Sequence, residues 1–275
     1  MRLIKLAASV AVASLVGGCS NGTAFDHADA AADSAVAQDA ANDRATDAGL
    51  ADGGGEAGNS SLCGASSFLF CDGFEHSGGL LNWSQTYASG GIPTADTTHV
   101  YRGSYALHAH IDAIAGPDAS AYAQVQQVQA WPAHVFVRYF AYQPSPHPTS
   151  PSGLVDLLQA ASPYPGLEML TDPPSGGLAM KTYSTAHDQA WASDGGVMTP
   201  DQWVCIELEV DTGAGTSHLY MNDVEVADLA GSNLALPQLG ILGVGLNFFQ
   251  SSAQGAQDAW IDEVAVNGTR IGCAN

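Results

Sequence analysis

Trp260-Ile261-Asp262-Glu263-Val264-Ala265-Val266, followed by Asn267-Gly268-Thr269-Arg270-Ile271-Gly272-Cys273, reads as a closing strand and the segment after it. Ile261, Val264 and Val266 are apolar, Asp262 and Glu263 interrupt them, and Asn-Gly is a turn signal. The stretch has a counterpart nearer the start of the chain, Phe68-Leu69-Phe70-Cys71-Asp72-Gly73-Phe74-Glu75. Both segments are short, aromatic and acidic, and each has a cysteine within it or just after it. This predicts that the first and last strands lie side by side, so that the two ends of the folded part close one sheet.

Between these ends, strand candidates follow one another at Ser104–Ile111, Ala121–Gln129, Val135–Gln143, Gly153–Gln159, Gly177–Tyr183, Trp203–Asp211, Ser217–Met221, Val224–Leu229, Leu239–Phe248 and Trp260–Val266. Gly, Pro, Asn and Ser clusters separate them, and no long helical pattern occurs. Met221-Asn222-Asp223-Val224 reads as a tight hairpin, because Asn and Asp tolerate the left-handed turn conformation. The expected fold is all-β: a two-sheet sandwich of about ten to fourteen strands over residues 62–275.

The chain of 275 residues carries 28 acidic and only 7 basic residues, a formal net charge of −21. In residues 62–275 the basic residues are Arg102, Arg138, Lys181 and Arg270, too scattered for a phosphate-binding patch, so nucleic acid is excluded as a partner. Residues 1–18 read as an export signal, with Arg2 and Lys5 ahead of a short apolar run, Leu6 to Val16. That run is too brief to span a bilayer. Val16-Gly17-Gly18-Cys19 resembles the lipobox of bacterial lipoproteins, which implies lipidation at Cys19 and anchoring to the outer membrane, Ser20 standing where an inner-membrane retention signal places Asp. Ordinary signal cleavage beside an incidental cysteine is the other reading. Residues 19–61 are Ala, Asp, Gly and Ser with almost nothing to bury, as expected of a disordered acidic tether.

The folded part resembles a known family. Cys71-Asp72-Gly73-Phe74-Glu75, Trp83 and Tyr101-Arg102-Gly103-Ser104-Tyr105-Ala106-Leu107 are similar to the opening of concanavalin A-like jelly rolls. Trp203-Val204-Cys205-Ile206-Glu207 with the hairpin Leu219 to Asp223, and the closing Trp260 to Val264, are similar to laminin-G-like modules. The resemblance implies a jelly-roll sandwich. Its family holds lectins, glycan-binding modules, polysaccharide lyases and glycoside hydrolases, so fold alone does not choose between binding and catalysis.

Four cysteines remain after Cys19. In an exported domain they imply two disulfides, and Cys63–Cys71 with Cys205–Cys273 is the favoured pairing over the other two connectivities and over a zinc site. Asp72, Glu75 and Asp262 lie on the two segments expected to meet. Jelly rolls often hold a structural calcium at that junction, so these carboxylates are the candidate calcium ligands; the alternative is turn capping by the first two and plain solvation of the third. His108 and His110 alternate along one strand and share a face, suited to a metal, to acid–base work or to a polar solvent face. Arg138 with Tyr142, and Lys181 with Tyr183, likewise share faces. Together these six residues are the candidate carbohydrate groove. Glu207, Glu209 and Asp211 alternate too, in a faint resemblance to the carboxylate strand of laminarinase-type hydrolases, although a solvated acidic strand accounts for them as well.

No complete catalytic signature is present, and the acidic field disfavours capture of a polyanionic glycan. The expected function is therefore binding of a neutral or calcium-bridged carbohydrate, without turnover, by a lipid-anchored surface protein. A polysaccharide lyase or glycoside hydrolase on the same fold is the alternative, and a structural envelope protein the third reading.

Overall fold

The computed structural model describes residues 61–64, 67–76, 80–115, 119–161, 165–172, 176–183, 189–250 and 253–273. The export signal, Cys19 and all of the expected tether but Ser61 lie outside the described residues. Among the described residues the strands are β1 (Phe70–Asp72), β2 (Gln85–Ser89), β3 (Gly91–Asp96), β4 (Ala106–Ile111), β5 (Ala119–Val128), β6 (His134–Tyr142), β7 (Ser152–Leu158) and β8 (Gly166–Asp172). There follow β9 (Gly177–Tyr183), β10 (Gln189–Val197), β11 (Trp203–Asp211), β12 (Thr216–Met221), β13 (Val224–Glu225), β14 (Ile241–Gln250) and β15 (Gln257–Asn267). They form two antiparallel sheets. The first runs β13-β12-β11-β6-β15-β4-β3, with β1 also on β15, and the second runs β10-β9-β8-β7-β14-β5-β2.

The ends of the folded part meet as expected. Phe70 to Asp72 pair with Val266 to Val264, while β4 takes the earlier half of β15, so one long strand serves two partners on the same edge. The interrupted pattern of β15 has a physical reason. Its pairing with β6 is irregular between Asp262 and Ala265, and Glu263 takes a positive φ of 52°. This β-bulge absorbs one extra residue, which returns Val264 and Val266 to the same core face as Ile261. Without it every side chain beyond Asp262 would point to the wrong side.

The core fills the space between the inner faces. Leu107, Ala109 and Ile111 of β4 and Val135, Val137, Tyr139 and Ala141 of β6 meet Ala121, Ala123 and Val125 of β5, Leu178 and Met180 of β9, and Leu242, Val244, Leu246 and Phe248 of β14. Four strands escape the sequence pattern. β2 is exposed along its whole length, so it has no apolar alternation to show. β3 contains Pro93 but tolerates it as an edge strand paired only with β4. β10 is broken by an irregularity between Ser193 and Val197, and β8 is a short run just after Pro165. The expected strand Val224–Leu229 is corrected: pairing stops at Glu225, and Ala227–Leu229 forms a 3-10 turn that tucks Leu229 into the core. The predicted hairpin is present, with Asn222 and Asp223 at φ 49° and 68° and Met221 opposite Val224.

Both favoured disulfides are formed, Cys63–Cys71 and Cys205–Cys273. They help to cover the outer face of the first sheet, where Leu62, Phe140 and Cys205 make a second small core with Tyr101, Trp203 and Cys273. Tyr101 lies flat on Phe140 at 3.7 Å between ring centroids.

Candidate functional site

Alternation decides what the outer face of the second sheet presents. On β5, Ala121, Ala123 and Val125 point inward, so Tyr122, Gln124 and Gln126 point out. On β14 the same logic turns out Gly243, Gly245 and Asn247, on β7 Asp156, on β8 Glu168, and on β9 Lys181 and Tyr183. The edge strand β2 adds Gln85 and Tyr87. Tyr87, Tyr122, Gln85, Gln124, Gln126 and Asp156 line a cleft of about 390 Å³. Gly243 of β14 lies beside this lining: a Cβ there would be in ordinary contact, 3.4 Å from Gln124 Oε1 and 3.5 Å from Asp156 Cβ.

The polar groups here are fixed by one another. Gln124 Nε2 and Asn247 Nδ2 both donate to Asp156 Oδ2, at 2.8 and 2.9 Å. Asn247 Oδ1 accepts the Gly153 N–H at 3.2 Å, and the Tyr183 hydroxyl donates to Glu168. Gly153 is required for this approach, because a Cβ there would come within 2.1 Å of Glu168 Oε1. Gln85 donates to Gln126 at 2.6 Å, and the rings of Tyr87 and Tyr122 lie 4.6 Å apart at 55°. Asp156 and Glu168 face each other across the β7–β8 ladder and are only 6% and 2% exposed. Burial pushes Asp156 up to about 6 against the donors Gln124 and Asn247. Burial, then the charge of Asp156, push Glu168 up to about 8. Both shifts are upward, so the pair holds on to a proton at a higher pH than two exposed carboxyls would.

The six residues expected to share one groove are divided between opposite faces of the sandwich. Lys181 and Tyr183 are in the face just described, with Lys181 Nζ 4.5 Å from the centre of the Tyr183 ring. His108, His110 and Tyr142 stand on the outer face of the first sheet, as their alternation with Leu107, Ala109 and Ala141 requires. Arg138 is on that face as well but is 0% exposed. Burial lowers its pKa against the pull of Glu263 and Glu207, and its Nη1 is 3.5 Å from the carbonyl of Gly272. It is a cation under the chain's C-terminal segment, out of reach of a ligand.

The other candidate carboxylates are engaged by the fold. Asp72 accepts Phe74 N–H, Asn82 Nδ2 and Trp83 Nε1. Glu75 accepts the N–H groups of Ser104 and Tyr105, and Asp262 those of Tyr101, Arg102 and Glu263. Their ligand oxygens do not converge on one centre. Glu207 is fully buried and takes Ile271 and Gly272 N–H. Glu209 meets His134 and Tyr220, and Asp211 caps the turn at Gly213 and Ala214.

Among the residues that line the cleft or belong to the polar network beside it, Tyr87, Tyr122, Gln124, Gln126, Asp156, Glu168 and Asn247 were not singled out from the sequence. A signal was available for three of them: Tyr122, Gln124 and Gln126 occupy every second position of a recognised strand. Nothing local marks Asp156 and Glu168, which become a pair only through the β7–β8 register.

No protein-family model and no curated protein sequence matches the chain. Among solved structures, it is similar to the endo-β-1,4-glucuronan lyase from the fungus Trichoderma reesei, with a TM-score of 0.59 at 13% identity over 74% of this chain and 96% of that one. It is similar to the cellulose-induced protein Cip1, with a TM-score of 0.57 at 16% identity over 74% of this chain and 100% of that one. A sialidase matches at 0.52 and 10% identity, over 73% of this chain but 18% of the sialidase. Likeness at these identities establishes the fold, a concanavalin A-like jelly-roll sandwich.

Proposed function

We propose that the outer face of the second sheet binds a neutral polysaccharide without turning it over. The observation that carries this reading is the cleft itself, where the Tyr87–Tyr122 pair stands beside the amides of Gln124 and Asn247, both held in fixed directions by Asp156. A sugar ring has an apolar face that stacks on an aromatic ring and a rim of hydroxyls that needs directional donors and acceptors. Both are supplied at strand spacing. A protein of the same fold, the endo-β-1,4-glucuronan lyase, acts on a polysaccharide, which agrees with a carbohydrate ligand. Charge argues for a neutral one: Lys181 is the single Lys or Arg of the described residues on this face, and its ammonium lies over a tyrosine ring. A chain of uronates would meet buried acid where it needs a cation.

A hydrolase is the second reading, favoured by the cross-strand Asp156–Glu168 pair, in which one carboxyl keeps its proton and the other tends to lose it. That division of states is what acid and base roles require. Burial weighs against it, because Asp156 and Glu168 are almost wholly removed from solvent and Glu168 is already engaged by the Tyr183 hydroxyl. A glycan array on the purified protein, run with reducing-end and unsaturated-product assays, separates the readings. Binding without product supports the module. Product that disappears in Glu168→Gln while binding persists supports the enzyme, and neither binding nor product overturns both in favour of a structural envelope protein.

The resemblance of Val16 to Cys19 to a lipobox supports placing this domain on the bacterial outer membrane through acyl chains on Cys19. Cys19→Ala then moves the protein into the soluble fraction, and a variant that stays with salt-washed membranes contradicts the anchor.

A further inference from the structure

On the opposite face of the sandwich, two histidines and an aspartate converge on one point. His108 and His110 are two residues apart on β4, and Asp258 on β15 pairs directly with His110. Asp258 Oδ1 lies 2.8 Å from His108 Nε2 and 2.8 Å from His110 Nδ1. The two rings thus use different nitrogens, which is what lets neighbours on one side of a strand aim at the same place. The three ligand atoms all fall within 4.8 Å of one another.

The second nitrogen of each ring is also accounted for. His110 Nε2 is 3.3 Å from Asp112 Oδ1, and His108 Nδ1 is 3.9 Å from Asp96 Oδ2. A carboxylate behind the outer nitrogen of a ligating imidazole fixes its tautomer and raises its basicity, and metal-bound histidines nearly always have such a partner. Asp96 is itself anchored by Thr97 and Thr98 N–H and by Trp260 Nε1. The ring of His108 lies flat on Trp260, 4.2 Å away at 4°. The orientation of the set is therefore built by the fold.

We propose that His108, His110 and Asp258 bind a divalent first-row transition-metal ion, with zinc as the representative. Two imidazoles and one carboxylate match the donor preference of such ions, whereas calcium and magnesium take oxygen. The side chains are 23%, 33% and 33% exposed, which leaves one side open for a water as fourth ligand. Charge supports the same conclusion: Asp96, Asp112 and Asp258 surround the two rings in a chain of net charge −21. The metal takes the place of the two hydrogen bonds that Asp258 makes to the inner nitrogens, and each ring keeps its single proton on the outer nitrogen. That of His110 donates to Asp112, while that of His108 faces Asp96 at 3.9 Å. The site is independent of the cleft on the other sheet.

The test is calorimetric titration of the full chain, stripped by a chelator, with zinc chloride in the presence of excess calcium. The expected result is one equivalent of zinc bound at micromolar affinity or tighter, with a melting temperature that rises on addition of zinc. Asp258→Asn and His110→Gln, which keep size and hydrogen bonding, each weaken binding by about a hundredfold or more, and Asp112→Asn by about tenfold. Wild-type protein that takes up no zinc overturns the proposal. So do Asp258→Asn and His110→Gln proteins, folded by circular dichroism, that bind zinc as the wild type does; should one of them fail to fold, the other decides.

Discussion

Glu207 accepts the backbone N–H of Ile271 at 2.6 Å, so a carboxylate in the middle of β11 holds the segment that follows the last strand. Gly272 N–H and Arg270 Nε, at 3.2 and 3.3 Å, complete its surroundings, and its charge also faces the buried Arg138. Replacing Glu207 by Ala removes these bonds and leaves Arg138 with less compensation in a dry environment. Breaking a buried charge network of this kind costs about 3–5 kcal/mol. A chemical melt is expected to register a loss of that order, and a variant within about 0.5 kcal/mol of wild type would show that the C-terminal segment is held by other contacts.

The Cys205–Cys273 bridge secures the same segment across 68 residues of sequence. On the chain-entropy model, closing a loop of that length removes about 4 kcal/mol of freedom from the unfolded chain. Cys273→Ser is expected to lower the melting temperature far more than Cys63→Ser, whose loop has a separation of only 8. Equal losses in the two variants would mean that strain or local packing sets the stabilisation, not loop length.

Stability should fall as pH rises across the neutral range. Burial lifts Asp262 to about 8 and Glu168 to about 8, far above their usual values of 3.8 and 4.5. Between roughly pH 4 and 8 the folded chain therefore keeps protons that the unfolded chain has lost. The stabilisation is fully present below about pH 4 and is lost as pH climbs through the folded pKa values. Asp96, held at about 2 against its burial by hydrogen bonds from Thr98 and Trp260, works in the opposite sense, but only in acid. Melting temperatures should decline from about pH 5 to about pH 8.5, and less steeply in Glu168→Gln, which cannot ionise. A wild-type melt that stays level or climbs over that interval contradicts the buried-acid account.

The architecture was largely legible because its signals are local. The paired acidic-aromatic ends, the alternation in β4, β5, β6 and β11, and the Asn222-Asp223 turn each follow from a few neighbouring residues. The candidate cleft was not legible in the same way. Lys181 and Tyr183 share a face with each other by alternation alone, but which sheet they occupy depends on strand order, and that is set by long-range pairing. His108 and Arg138 looked equivalent to them from spacing, yet the loop carrying Tyr101 and the segment carrying Gly272 cover the face around Arg138. Glu207 misled for a related reason: an alternating carboxylate resembles a catalytic strand until the partners of its oxygens are known.

The cleft proposed to bind carbohydrate yields the last prediction. Tyr122 sits between the edge tyrosine Tyr87 and the central carboxylate Asp156, and burial raises its hydroxyl pKa above the usual 10.0, with the charges of Tyr87 and Asp156 adding to the shift. Its hydroxyl therefore stays protonated at neutral pH and is available as a donor, while its ring forms one wall of the cleft. Truncating it to Ala removes stacking surface and a donor without opening the core, since the ring points away from Ala121 and Ala123. Binding of a neutral polysaccharide is expected to weaken by about tenfold or more, equivalent to ~1.4 kcal/mol, with the melt nearly unchanged. Tyr142→Ala, on the other sheet, serves as the control and should bind as wild type. If the control loses affinity and Tyr122→Ala keeps it, the ligand occupies the outer face of the first sheet, beside Trp260 and His99, and the cleft on the second sheet is not the binding site.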